Sequence, residues 1–125
     1  MFCQINIRTC HENNDYDKYI SQDDFPLPNT RYIIRYDFTL SSGVTIPENS
    51  VLVFEGGTLN GSTTLTLNGT GIEPNGCVLG NHIVSSITIA GTYKTGQCLF
   101  DIDATPMRPK WWNGAAWVDA TGTAV

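Results

Sequence analysis

Between Val44 and Ile102 no apolar run lasts more than a few residues before a turn residue interrupts it. Val44-Thr-Ile46 meets Pro47-Glu-Asn-Ser50, and Val51-Leu-Val-Phe54 meets Glu55-Gly-Gly57. Thr64-Leu-Thr-Leu67 ends at Asn68-Gly69, and a further turn follows at Pro74-Asn-Gly76. Ile83 to Ala90 is closed by Gly91, and Gln97 to Ile102 completes the series. Such runs are too short for amphipathic helices and too evenly interrupted for long hairpins. Short strands with Gly and Asn at the bends suit a right-handed parallel β-helix, in which each coil turns several corners. Gly and Asn supply the left-handed backbone those corners require. On periodicity alone a small sandwich or jelly roll stays open as an alternative.

The distribution of residue types divides the chain. All 12 Gly lie between Gly43 and Gly122, while the first 42 residues hold ten of the 19 charges. Thr occurs 15 times, as expected for β structure. The expected organisation is a polar N-terminal segment at 1–28, a β body at 29–106 and a Trp-rich hairpin module at 107–125. Glu12 to Ile20 reads as a short helix, with Tyr16, Tyr19 and Ile20 on one face. Glu12, Asp15, Asp17, Asp23 and Asp24 lack the spacing and central Gly of a calcium loop, so they read as a solvated face. Phe25-Pro-Leu-Pro28 reads as an extended linker, because each Pro disfavours helix in the residue before it.

Charge and cysteine usage limit the function classes. Seven Lys and Arg against 12 Asp and Glu cannot form a broad basic face, so nucleic acid is not an expected partner. No apolar run approaches the ~20 residues of a membrane helix, so membrane insertion is not expected. Met1 to Cys10 lacks the apolar stretch of a secretory signal. Cys3, Cys10, Cys77 and Cys98 form no Cys-x-x-Cys pair, and His11 and His82 are not placed for a zinc knuckle. A Cys3–Cys10 bridge is open in an oxidising compartment, but four free thiols are expected, with no metal and no cofactor.

Catalytic constellations are sparse. Asp101 and Asp103 alternate about Ile102, so in a strand both carboxylates share a face, as glycoside cleavage would need. The preferred interpretation is a solvated strand end before Thr105-Pro106. Glu48, Glu55 and Glu73 read as loop charges beside turn residues. No Gly-x-Ser-x-Gly elbow exposes a serine, and Gly56-Gly57 and Gly69-Thr-Gly71 lack a P-loop Lys. The constellation of most interest is Trp111, Trp112, Asn113 and Trp117. Asn113-Gly114 signals a two-residue type I′ turn, which would set Trp112 against Ala115 and bring Trp111 near Trp117. The rings are expected to pack or to anchor a subunit interface, with glycan stacking as the alternative.

Two stretches carry a family resemblance. Asn29-Thr-Arg-Tyr-Ile-Ile-Arg-Tyr-Asp-Phe-Thr-Leu40, continuing to Val51-Leu-Val-Phe-Glu-Gly-Gly-Thr-Leu59, resembles the opening coils of pectate-lyase-like β-helices. It is closest to those in fibre and spike proteins of Bacteroides-type (crAss-like) bacteriophages. Arg108-Pro-Lys-Trp-Trp-Asn-Gly-Ala-Ala-Trp-Val-Asp-Ala-Thr-Gly122 resembles a short module of the same kind of virion protein. The resemblance implies a non-enzymatic virion protein assembled in the host cytoplasm, a short head fibre that decorates the capsid or a fibre adaptor aiding host attachment. It further implies a homotrimer; a dimer is the alternative because two-fold symmetry is the commonest among homo-oligomers. Residues 1–28 would hold another virion protein. The alternative function is a tail-fibre carbohydrate-binding module that meets host surface glycan through the Trp cluster. The body has room for about three coils of twenty-odd residues, short of the many coils and carboxylate-lined groove of depolymerising members. Catalysis is therefore not expected.

Overall fold

The computed structural model describes Phe25 and residues 27–125. Its strands are β1 (Arg31–Ile34), β2 (Phe38–Thr39), β3 (Val44–Thr45), β4 (Val51–Phe54), β5 (Leu59–Asn60), β6 (Thr64–Glu73), β7 (Thr88–Tyr93), β8 (Cys98–Asp101), β9 (Arg108–Trp112) and β10 (Trp117–Val118). Among the described residues the one helical element is the 3-10 turn Leu79–Asn81. The expected all-β class is what the chain adopts.

Every pairing from β1 to β7 is parallel, and the steps are regular. Arg31 lies opposite Val51 and Val51 opposite Gly71, a step of 20 residues each time. Phe38 faces Leu59 and Leu59 faces Ile83, steps of 21 and 24. Val44 faces Leu65 and Leu65 faces Ile89, again 21 and 24. The strands curl into an open half-barrel. Because paired residues in a parallel ladder point the same way, a constant step stacks like upon like. Tyr32, Leu52 and Ile72 form one inward column, and Val44, Leu65 and Ile89 another. Burial of each such side chain stabilises by about 1.5–3 kcal/mol. The outside repeats too. Asn29 and Asn49 both take left-handed φ values, 56° and 55°, and their side chains join at 2.7 Å. Arg31 binds Glu73 at 3.1 Å and Arg35 binds Glu55 at 3.0 Å.

Several boundaries differ from those expected. The run 31–40 is two strands, because the chain bends at Tyr36 to turn a corner. Strand β6 does not stop at Asn68-Gly69 but continues to Glu73. Its first half pairs β3 and its second half β4, so it spans a corner without ending. Two threonine hydroxyls serve the backbone at that bend: Thr70 Oγ1 accepts from Asn68 N–H at 2.9 Å, and Thr92 Oγ1 from Gly69 N–H at 3.0 Å. The expected strand from Ile83 to Ala90 is mostly turn, with Ile83 bridging Leu59 and Ile87 N–H donating to Val84 C=O at 3.0 Å. Strand β7 begins only at Thr88 and runs through Gly91. Gly91 marks a close approach and no strand end: its φ is 84°, and a Cβ there would lie 2.0 Å from the Leu67 carbonyl oxygen.

The linker expected at 25–28 also needs correction. Phe25 is buried in the core, its ring 4.9 Å from that of Tyr32. The Tyr32 hydroxyl accepts from Leu27 N–H and donates to Leu27 C=O, both at 2.8 Å. These residues belong to the body. The helix expected at Glu12 to Ile20, the acidic cluster Glu12–Asp24, Cys3 and Cys10 lie outside the described residues.

At Ile72 a side chain stands in for the next turn of the parallel stack, while Cys77 still bridges Leu99 in parallel. Ile72 N–H donates to Gln97 Oε1 at 2.7 Å, and Gln97 Nε2 donates to Ile72 C=O at 3.0 Å. The amide thus substitutes for the next strand, and Gln97 is buried at 6% exposure. A three-stranded antiparallel sheet, β10-β9-β8, follows.

Replacing Gln97 with the similarly sized Met should strand the buried Ile72 donor and acceptor, at about 1–3 kcal/mol for each group left unpaired. Urea denaturation of Gln97→Met should show that loss. Gly91→Ala should cost more than Gly96→Ala. Both glycines have positive φ, about 1–2 kcal/mol against an L-residue, but nothing lies within 4 Å of a Cβ at 96. Equal losses in a thermal melt would contradict the close approach at Leu67.

Candidate functional site

The β9–β10 hairpin closes differently from the expected two-residue turn. Trp112 pairs with Trp117 and Trp111 with Val118, leaving a four-residue loop at 113–116. Asn113 sets this length. Its Oδ1 accepts from Ala115 N–H at 2.8 Å and Ala116 N–H at 2.9 Å, while its own N–H donates to Ala116 C=O at 3.0 Å. A side-chain oxygen that caps two backbone donors stabilises a wider loop than a type I′ turn. The pairing expected for Trp112 with Ala115 and for Trp111 with Trp117 is therefore replaced. Trp112 and Trp117 share one face, and Trp111 lies on the other.

The shared face is a packing surface. The Trp112 and Trp117 rings meet edge to face at 5.3 Å, and Tyr93, at the end of β7, lies 4.7 Å from Trp117 and 5.7 Å from Trp112. Lys110, two residues before Trp112, sets its Nζ 4.9 Å over the Trp117 ring. Backbone bonds run alongside: Gly96 N–H to Trp112 C=O at 2.8 Å, and Trp112 N–H to Gln97 C=O at 2.9 Å. Aromatic pairs of this geometry add about 0.5–1.5 kcal/mol beyond their area, so the trio seats the antiparallel sheet on the last parallel strand. Trp112 Nε1 is buried with no hydrogen-bond partner among the described residues.

Trp111 borders a separate hollow with Asp119, Ala120 and Gly122. Asp119 organises the segment behind it, accepting from Thr121 Oγ1 at 2.6 Å, Thr121 N–H at 2.9 Å and Thr123 N–H at 3.1 Å. These bonds, the Thr121 hydroxyl foremost, hold its carboxyl below the usual range. The four sequence candidates thus divide: Trp112 and Trp117 come together, Asn113 shapes the loop, and Trp111 stands apart.

A cleft of about 260 Å³ opens between the 3-10 turn and the antiparallel sheet, bordered by Leu79, Tyr93, Asp101, Asp103, Lys110 and Trp117. Strand β8 ends at Asp101, so Asp103 is in a turn and not one strand position further, contrary to the alternation expected. Asp101 Oδ1 accepts from Asp103 N–H at 3.0 Å, and Oδ2 lies 3.6 Å from Lys110 Nζ. A second cleft of about 370 Å³ lies beside Gln97, Val51, Glu73 and Lys94. Among the described residues no three His, Cys, Asp or Glu are grouped to hold a metal ion. Cys77 and Cys98 are free thiols, and burial pushes both above their usual range.

Sequence reasoning missed Tyr93, Lys110 and Gln97. Lys110 had a signal, since it alternates with Trp112 along β9. Tyr93 and Gln97 had none, because their partners are set by the docking of two sheets. No family model matches the chain, and comparison with curated proteins and solved structures returned no significant match.

Burial pushes the Tyr93 hydroxyl up to about 12. The unfolded chain therefore ionises this tyrosine first, and stability present below pH about 10 is lost as pH rises towards 12, by up to about 3 kcal/mol. Denaturation midpoints should fall across that window, and Tyr93→Phe should flatten the decline.

Proposed function

We propose that the chain is a non-enzymatic structural protein of a bacteriophage virion, a short head fibre or fibre adaptor. In this reading the curled parallel sheet is a right-handed β-helix of about three coils. The observation that carries it is the repeated step of 20 to 24 residues between stacked parallel partners, with apolar columns inside and matched polar pairs outside. Such a unit is rigid along its stacking direction and suits a projecting part. The ion pair of Asp101 with Lys110 supports a structural role for that carboxylate. The part of residues 1–28 that precedes Phe25 is proposed to meet another virion protein, since Phe25 and Leu27 are held by the body.

The proposed assembly is a homotrimer. Lateral packing of three chains is not needed to cover Tyr32 and Phe54, which are already buried within one chain. Tyr36, at 47% exposure, remains to be covered. Light scattering on the purified chain should give three times its 13.7 kDa mass, and a map of the assembled particle should locate it on the capsid or at a fibre base. A monomer at micromolar concentration that is absent from particles would refute both the trimer and the virion role.

A further inference from the structure

We infer that the cleft bordered by Tyr93, Trp117, Lys110, Asp101 and Asp103 is a binding site for one neutral hexopyranose unit, such as a terminal or branch sugar of a polysaccharide. Its lining mixes the half-buried rings of Tyr93 and Trp117 with the charged groups of Lys110, Asp101 and the exposed Asp103. That mixture suits a ligand with an apolar C–H face and a hydroxyl rim. The C–H edge is attracted to the electron-rich ring face, and the hydroxyls both donate and accept.

The polar groups are differently engaged. Lys110 is held between Asp101, at 3.6 Å, and the Trp117 ring, at 4.9 Å, which fixes a donor at the cleft. An ammonium has three protons, so donors remain for a ligand. The carboxylate of Asp103 has no hydrogen bond or ion pair among the described residues, although its backbone N–H is tied to Asp101. A fixed donor and an uncommitted acceptor on one cleft match two hydroxyls of a single sugar ring.

Size and charge narrow the class. The volume of about 260 Å³ lies below the roughly 300–1,000 Å³ of sites that enclose drug-sized ligands. It admits one ring and leaves the remainder of a chain outside. Two carboxylates against one ammonium repel uronic acids, sialic acids and phosphorylated sugars. The Trp111 hollow has no such pairing of groups and lies on the opposite hairpin face. The site is contained in one chain and does not depend on the proposed virion role, so sugar binding by a monomer would support it, while the particle map tests the virion role separately.

The test is an amide chemical-shift titration of the full chain with glucose, galactose and N-acetylglucosamine, with glucuronate as the acidic comparison. At least one neutral sugar should saturate with a Kd of about 1–10 mM, shifting residues 79–80, 93, 101–103 and 117. Asp103→Ala, at an exposed turn position, should weaken binding by at least about tenfold, as should Lys110→Met. Trp111→Phe should leave it unchanged. The inference is overturned if no neutral sugar shifts these residues, if glucuronate binds more tightly, if Asp103→Ala binds as the parent does, or if Trp111→Phe abolishes binding.

Discussion

A parallel sheet that curls on itself can bury a continuous core only if the chain returns to each face after a near-constant number of residues. Here the return is 20 residues on the face that contains Tyr32, Leu52 and Ile72, and 21 then 24 on the other two. A slip of one residue would turn an inward column outward, because side chains alternate along a strand. The outer pairs Asn29–Asn49 and Arg35–Glu55 keep the same register by hydrogen bond and charge, while Arg31 reaches diagonally to Glu73 two turns on. Each exposed pair contributes little on its own. Their value lies in agreeing with the apolar columns about which residues face each other.

Stacking creates a second demand, since the last strand presents donors and acceptors that nothing in the repeat can satisfy. Gln97 answers at Ile72 by copying a strand's donor and acceptor with one amide. The antiparallel sheet is held beside it by Tyr93, Trp112 and Trp117. The aromatic hairpin is therefore an end piece of the body. The same docking leaves the cleft at Tyr93 and Trp117, because flat rings meeting at tilted angles do not fill the corner between two sheets. Termination and the proposed sugar site have a common origin.

Differences between the expected and observed elements follow one pattern. Asn68-Gly69 and Gly91 looked like strand ends, since both residue types favour left-handed backbone. In the fold they are bends within β6 and β7, because Thr70 and Thr92 supply hydroxyls at the first and the Leu67 carbonyl closely approaches the second. Phe25-Pro-Leu-Pro28 looked like a linker because prolines break helices, yet Phe25 reaches the core and Tyr32 binds the Leu27 backbone. Asn113-Gly114 looked like a tight turn, and the Asn113 side chain widened it. At Asn68-Gly69, Gly91 and Asn113-Gly114 the local signal for a bend held, and what the bend belonged to was not local.

The amino-acid order alone determined that the body is β throughout, that its strands are short, and that Val51–Phe54 and the Thr64–Leu67 run lie in them, because β-branched residues and turn residues act over a few positions. It also carried the Trp-rich hairpin. Only the tertiary structure decided that Gln97 replaces the next strand at Ile72, that Trp111 and Trp112 face apart, and that Tyr93 joins Lys110 and Trp117 beside Asp101 and Asp103. Those placements depend on how a parallel and an antiparallel sheet dock, and the geometry between two packed surfaces is written in no single stretch of either.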